Sequence, residues 1–288
     1  MKLNEFEEYT GKFIHHLQEQ KQYSPHTFRC YSADLAHVIK FWHMLEEREA
    51  RELQFPTLIN RYFTMIAHKK NNKKTVARKI SCLRSFEKFI ASYQISLQLT
   101  MARPLIIGTD PEYFTEEEIQ LLHTLPVESL PSPYPYRDQA IIELLYATGI
   151  ICSELTEIRY KDVNFAEKTV FIRAKGAKQR RLTYSSQTSD KLLLYLEKER
   201  RPLEHTHEHL FLNYKNEPLT TRSIQRICDM FNELVPLHTP LTPHKLRHSR
   251  ATHLAHQGID SHSLQYLLGL SKLSTEKYIR LSRHKKKE

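Results

Sequence analysis

The 288 residues suffice for two domains with separate cores, and 43 Lys and Arg against 33 Asp and Glu give a net charge of +10 with histidine neutral. That balance favours a polyanionic partner, because each neutralised phosphate releases condensed counterions. Cys30, Cys82, Cys152 and Cys228 form no C-x-x-C pair, which argues against a zinc site or a disulfide framework. No leader pattern or apolar run of ~18 residues is seen, so a cytosolic, nucleoid-associated protein is expected. Six glycines and abundant Leu, Glu and Lys predict a mainly helical chain.

Residues 1 to about 94 read as four helices. The first, roughly Leu3 to Gln20, carries Phe6, Phe13, Ile14 and Leu17 as its apolar members. Ser24-Pro25 then supplies an N-cap followed by proline at the first helical position. The helix it opens has Tyr31, Leu35, Val38, Ile39, Trp42 and Leu45 at spacings of three and four. A third helix starts near Pro56 and a fourth near Thr75, with Val76, Ile80, Leu83, Phe86 and Ile90 inward. Between these two lie Lys69, Lys70, Lys73 and Lys74, with Arg78 and Lys79 just beyond. This is either a solvated basic turn or a patch that tracks the phosphates of a polyanion.

Residues 95–112, with Pro104, Gly108 and Pro111 and little periodicity, read as a linker. Thr115-Glu-Glu-Glu118 opens the second domain as an acidic helix N-terminus. Leu130–Tyr136 reads as a loop, followed by a helix through Ile141, Leu144 and Leu145. The alternating, β-branched run Lys168–Arg173 predicts a strand that turns at Lys175-Gly176 and returns from Arg180 to Tyr184. Helices are expected near 187–200, 221–234, 243–257 and 260–269, and Arg283–Glu288 as a charged tail. Glu204–His209 alternates histidines, but an exposed loop is the better reading than a metal site.

In the run Thr242–Ala255, helical spacing puts His244, Arg247, Ala251, Leu254, Ala255 and Gly258 on one face about 100° wide. His248, His253 and His256 fall outside it. Burying a guanidinium is costly unless it meets an anion, so this face reads as one that looks at a phosphate or carboxylate. A helix-start pair that bridges internally is the alternative.

That segment resembles the H-x-x-R box of the tyrosine recombinases, the phage-integrase and Xer-like family. Other pieces follow in the family's order: Leu145–Leu155 resembles its first catalytic box, and Arg173–Leu182 its β-hairpin lysine loop. Leu267-Leu-Gly-Leu270, followed by Ser274–Tyr278, resembles its last box and nucleophile. The resemblance covers nearly the whole chain. It implies a two-domain fold: a helical core-binding domain (1–94), a linker (95–112) and a mixed, mainly helical catalytic domain (113–288).

The family's chemistry is attack of a tyrosine hydroxyl on the scissile phosphate, giving a 3′-phosphotyrosyl link and a free 5′-hydroxyl without metal or ATP. Charge developing on the phosphorane must meet preorganised cations. By resemblance, Tyr278 is the nucleophile, Arg247 clamps the phosphate, and His244 hydrogen-bonds it or handles the tyrosine proton. Lys175 is the general acid, with Lys178 close enough to be confused with it. Tyr278 could instead be a core aromatic. Lys178 and Arg180 join Lys69, Lys70, Lys73, Lys74 and Arg78 as expected DNA contacts. The implied partner is duplex DNA, bound by a homo- or hetero-oligomer, a tetramer on the DNA.

Two expected groups are missing. Ile151 stands where the first box carries arginine, and Leu270 where the last box carries histidine or tryptophan. The step from Leu270 to Tyr278 is also one residue shorter than the common family spacing. Arg159, Lys161 or Arg173 would have to stand in for the absent arginine. The sequence therefore leaves two readings: a working recombinase with an impaired clamp, or a DNA-binding partner that keeps the scaffold and cuts weakly or not at all.

Overall fold

Aromatic residues at helical spacing draw together α1 (Leu3–Glu19), α2 (Pro25–Glu49), α3 (Phe55–His68) and α4 (Lys73–Ala91). The computed structural model describes residues 1–19, 23, 25–68, 72–99, 101, 104, 111–173, 179–200, 208–270 and 272–285. Phe6 sits at the centre of this first unit, against Phe86 edge-on at 5.0 Å, Phe55 at 5.5 Å and Trp42 at 5.6 Å between ring centroids. Each of these side chains is fully buried, worth about 1.5–3 kcal/mol apiece. Ser24, the expected cap of α2, lies outside the described residues. Asn72 caps α4 instead, its side chain accepting from the Lys74 N–H at 2.9 Å.

A buried carboxylate in this unit gives Arg78 a structural role. Asp34 accepts from Lys79 Nζ at 2.9 Å and from the Arg78 guanidinium, and Lys79 also donates to the Tyr62 hydroxyl at 3.1 Å. Arg78 is thus the counter-ion of a buried acid, its side chain still 37% exposed. Without it Asp34 would carry an incompletely compensated charge into the core.

The chain divides into two units, Met1–Gly108 and Thr109–Glu288. In the second, Thr115 and Glu118 form a reciprocal capping box: Thr115 Oγ1 accepts from the Glu118 N–H, and Glu118 Oε2 from the Thr115 N–H. They start α5 (Glu116–Thr124). Then come α6 (Pro135–Thr148), α7 (Cys152–Glu157), strands β1 (Val163–Asn164), β2 (Thr169–Ile172) and β3 (Arg180–Thr183), and α8 (Ser186–Lys198). They are followed by α9 (Thr221–Leu234), α10 (Pro243–His256), α11 (Ser261–Leu268) and α12 (Lys272–Lys285). The strands form one antiparallel sheet in the order β1-β2-β3, with Val170 opposite Leu182.

The architecture is mainly helical with one small sheet, as expected, and three details differ. Pro135 and Tyr136, expected in the loop, are the first residues of α6, since proline suits the first helical turn. The short α7 and β1 were not foreseen, because neither is long enough to show periodicity. The C-terminal helix runs to Lys285, taking in the start of the expected tail.

Every residue of α6 from Arg137 to Leu145 is buried, polar ones included. Its charges are matched in place: Arg137 pairs with Asp138, and Glu143 accepts from Lys191 Nζ at 2.6 Å. Helix α10 packs on α6 and on α12. The chain leaves α6 through Gly149, which caps it at φ +63°. A side chain there would meet Leu268 Cδ2 at 2.5 Å, so glycine is required for both conformation and space.

Candidate active site

The start of α10 is fixed by Thr242, whose hydroxyl accepts from the Lys245 N–H at 3.2 Å, and by Pro243 at the first helical position. This sets His244 on the surface and Arg247 inward, 7% exposed. Arg247 donates through Nη1 to the Gly149 carbonyl at 2.7 Å and through Nη2 to the Leu268 carbonyl at 2.5 Å. It therefore ties the ends of α6 and α11 to α10. A guanidinium has five N–H donors, so donors remain for a ligand. Burial, opposed by the Glu154 carboxylate, holds the Arg247 pKa below the ordinary guanidinium range.

Ile151, Cys152, Ser153, Thr221, Pro243, His244 and Arg247 line one recess of about 210 Å³. Three of the positions picked out by the resemblance thus line one recess. Ile151, 37% exposed, presents hydrocarbon there. None of the suggested stand-ins lines the recess. Arg159 is paired with Glu208 at 3.0 Å, Lys161 lies 3.8 Å from the same carboxylate, and Arg173 is paired with Asp162 at 2.5 Å. Lys175 and Lys178, between β2 and β3, lie outside the described residues.

Arg180 requires a correction. It is 2% exposed and forms a two-pronged pair with Glu154, Nη1 to Oε1 at 2.7 Å and Nη2 to Oε2 at 2.9 Å. Its Nε donates to the Leu267 carbonyl at 3.0 Å. With all three nitrogens engaged inside the protein, it locks β3 to α7 and α11 and presents no free face at the surface.

Tyr278 is 1% exposed, in a cluster with Ala251, Leu254, Leu264 and Leu268, against which Leu270 and Ile279 also pack. Its hydroxyl shares a 2.5 Å hydrogen bond with His248 Nδ1. Burial pushes the phenol up to about 12 and the His248 imidazole down to about 4, the latter helped by the nearby charges of Lys277, His244 and Arg247. The sequence reading missed His248, which lies only about 20° beyond the edge of the His244–Arg247 stripe at 100° per residue. His253, also outside the stripe, is buried and bridges the Tyr146 hydroxyl and the Phe114 carbonyl, each at 2.9 Å.

His248 gives the fold a pH dependence. Its folded pKa lies below its unfolded value, so the unfolded chain binds the extra proton first. Its contribution is fully present above about pH 6.5 and is lost as pH falls toward about 4. Thermal melts of His248→Gln between pH 7 and pH 4 are expected to fall less steeply than those of the wild type. Equal slopes would remove His248 from the account.

In the first unit, Lys73 and Lys74 are exposed in the first turn of α4, where positive charge opposes the helix dipole. Lys69 and Lys70 lie outside the described residues. Of Glu204–His209, only Glu208 and His209 are described, and no cluster able to hold a metal ion occurs among the described residues. Nor, among them, is any helix long and apolar enough to cross a membrane.

Residues 112–285 match the phage integrase family, and residues 11–94 match the phage integrase N-terminal SAM-like domain. This chain belongs to the phage integrase family of tyrosine recombinases. It is 34% identical over 281 residues to the tyrosine recombinase XerC of Bacillus pumilus (strain SAFR-032), covering 94% of this chain and 91% of that protein. Among solved structures, it resembles the XerH site-specific recombinase bound to palindromic difH substrate in a post-cleavage complex. That match has a TM-score of 0.71 at 19% identity and covers 90% of this chain and 77% of the other. The lambda integrase tetramer bound to a Holliday junction matches at 0.68 and 14% identity, over 96% and 77% of the two chains. At these identities the structural matches speak to the fold, which they share.

Proposed function

We propose that this chain is a site-specific recombinase that binds duplex DNA, at a short inverted-repeat site, as an oligomer assembled on the DNA in the nucleoid. It breaks and rejoins strands through a 3′-phosphotyrosyl intermediate at Tyr278. The observation that carries this reading is the recess where His244 and Arg247 meet the Ile151 position, in a chain that matches Xer recombinases over most of its length. The Tyr278 oxygen, its proton passing to His244, attacks phosphorus as the bond to the 5′-oxygen breaks, and that oxygen takes a proton from Lys175. Arg247 neutralises the phosphorane and His244 hydrogen-bonds it. Tyr278 must first leave His248 and its buried seat, so cleavage requires α12 to move.

A second reading, a partner subunit that binds DNA without cutting it, is favoured by the apolar side chains of Ile151 and Leu270 and by the burial of Tyr278. A nicked duplex carrying the target site separates the two. On a denaturing gel, a protease-sensitive covalent band absent from Tyr278→Phe is the expected result. Tight binding without a band would leave the partner reading standing.

The basic patch is tested separately. Replacing Lys69, Lys70, Lys73 and Lys74 by glutamine is expected to weaken binding and flatten the plot of log K against log[salt] by roughly 0.9 per lost phosphate contact. An unchanged slope would show a merely solvated turn.

A further inference from the structure

The buried and half-buried arginines of the second unit are nearly all matched to oxygen acceptors. Arg137 has Asp138 and the Leu212 carbonyl, Arg180 has Glu154, Arg200 has two backbone carbonyls, and Arg247 has two more. Arg250 differs. It is half-buried, and among the described residues no carboxylate pairs with it. Its contact is with Tyr146, whose ring centroid lies 5.9 Å from Cζ. Its stem is packed close to Gly149, Cγ 3.4 Å from where a side chain on that glycine would begin. The head is therefore held in place by its stem and by Tyr146, without a counter-ion.

That head borders a recess of about 160 Å³, separate from the His244–Arg247 recess, lined also by Tyr146, Ser185, Gln187, Thr188 and Glu143. Glu143, the one carboxylate in the lining, is already engaged by Lys191 Nζ at 2.6 Å and His123 Nδ1 at 2.5 Å. The Glu116 carboxylate acts on the Tyr146 phenol from nearby but forms no ion pair with Arg250, so Arg250 is the one cation of the lining without a carboxylate bound to it. Ser185 caps α8, so the positive end of that helix also opens here. At 160 Å³ the space is below the roughly 300–1,000 Å³ of pockets for drug-sized ligands and suits a single oxyanion.

We propose that Arg250, with Tyr146 and the Ser185–Thr188 turn, forms a binding site for a phosphate-type oxyanion, distinct from the recombination centre. The ligand is either a free phosphate or one phosphate of a DNA backbone. Arginine is the residue suited to it, because its planar fork meets two oxygens at once and stays charged.

Calorimetric titration of the full-length, DNA-free protein with inorganic phosphate tests the site. With the clamp of the recombination centre removed by Arg247→Gln, one binding site is expected, lost when Arg250→Gln is added and weakened when Arg250→Lys is added. Binding that survives the added Arg250→Gln, or that Arg247→Gln alone abolishes, overturns the assignment. If free phosphate does not bind, the DNA backbone is the source, and Arg250→Gln lowers the salt slope for duplex binding by about 0.9. No phosphate binding together with an unchanged slope refutes the site. Arg250→Met guards against a folding artefact. In phosphate-free buffer it is expected to melt no lower than the wild type, because an unpaired buried charge contributes little stability. A drop of more than a few degrees would show that Arg250 serves packing, not a ligand.

Discussion

Ile151→Arg combined with Leu270→His is expected to raise strand cleavage at least tenfold over the wild type in the covalent-trapping assay. Removing one preorganised donor typically costs about 10² to 10³ in rate, and an arginine acting on a transferring phosphoryl is worth roughly 10³ to 10⁵. Room for the first substitution exists, since Ile151 is partly exposed and lines the recess beside His244 and Arg247. A new guanidinium there would share the site with Arg247, a repulsion that a bound phosphate relieves. The histidine at 270 would enter the half-buried margin of the Tyr278 cluster, within the segment whose 268 carbonyl already accepts from Arg247.

The result also bears on the nucleophile. One residue along a helix is a rotation of 100°, and the family spacing falls on Ile279, not on Tyr278. If the double substitution leaves cleavage unchanged while DNA binding is intact, adding Ile279→Tyr in the same background isolates the register. A rise only at that stage would assign the decay to the tyrosine's position. A rise in the double variant, abolished by Tyr278→Phe, would make Tyr278 the attacking group and the clamp the sole defect.

How much of this was legible in the sequence depended on the range of the interaction. The amphipathic helices were, since Phe6, Phe13, Trp42 and Phe86 mark their inward faces by spacing alone, and so was the cap at Thr115. The gathering of Ile151, His244 and Arg247 followed from the resemblance. The internal partners of Arg78 and Arg180 were not legible, because Asp34 and Glu154 lie 44 and 26 residues away. A local signal existed for Arg180: along β3 burial alternates, Arg180 and Leu182 in, Arg181 and Thr183 out, and side chains two apart share a face. Arg180 therefore points with Leu182 into the core. For His248 the face was drawn slightly too narrow. Arg250 gave no local signal, because its distinguishing property is a missing partner, which only the folded surroundings display.

The Arg180–Glu154 pair yields the largest expected stability effect. Glu154 is about as buried as its partner is enclosed, with side-chain exposures of 9% and 1%, and its Oε2 also accepts from the Ile151 N–H at 3.0 Å. Glu154→Leu leaves the Arg180 charge buried against a single carbonyl and frees the cap of α7. Breaking such a pair costs about 3–5 kcal/mol, and at ~2–4 °C per kcal/mol for a unit of this size the melting temperature should fall by about 10 °C. The charge, not the contact area, is the reason. Glu154→Leu combined with Arg180→Met is therefore expected to recover more than half of the loss, since well-packed hydrophobic replacements of buried ion pairs are often neutral or better. A double variant no more stable than Glu154→Leu alone would show that the geometry of the pair, gripping β3, α7 and the α11 carbonyl at once, matters more than its charge balance. The same grip positions Ile151 at the mouth of the recess, so the single variant should also lose whatever cleavage the wild type has. The double variant should regain stability without regaining cleavage, because two hydrocarbon side chains cannot hold the Ile151 amide in place.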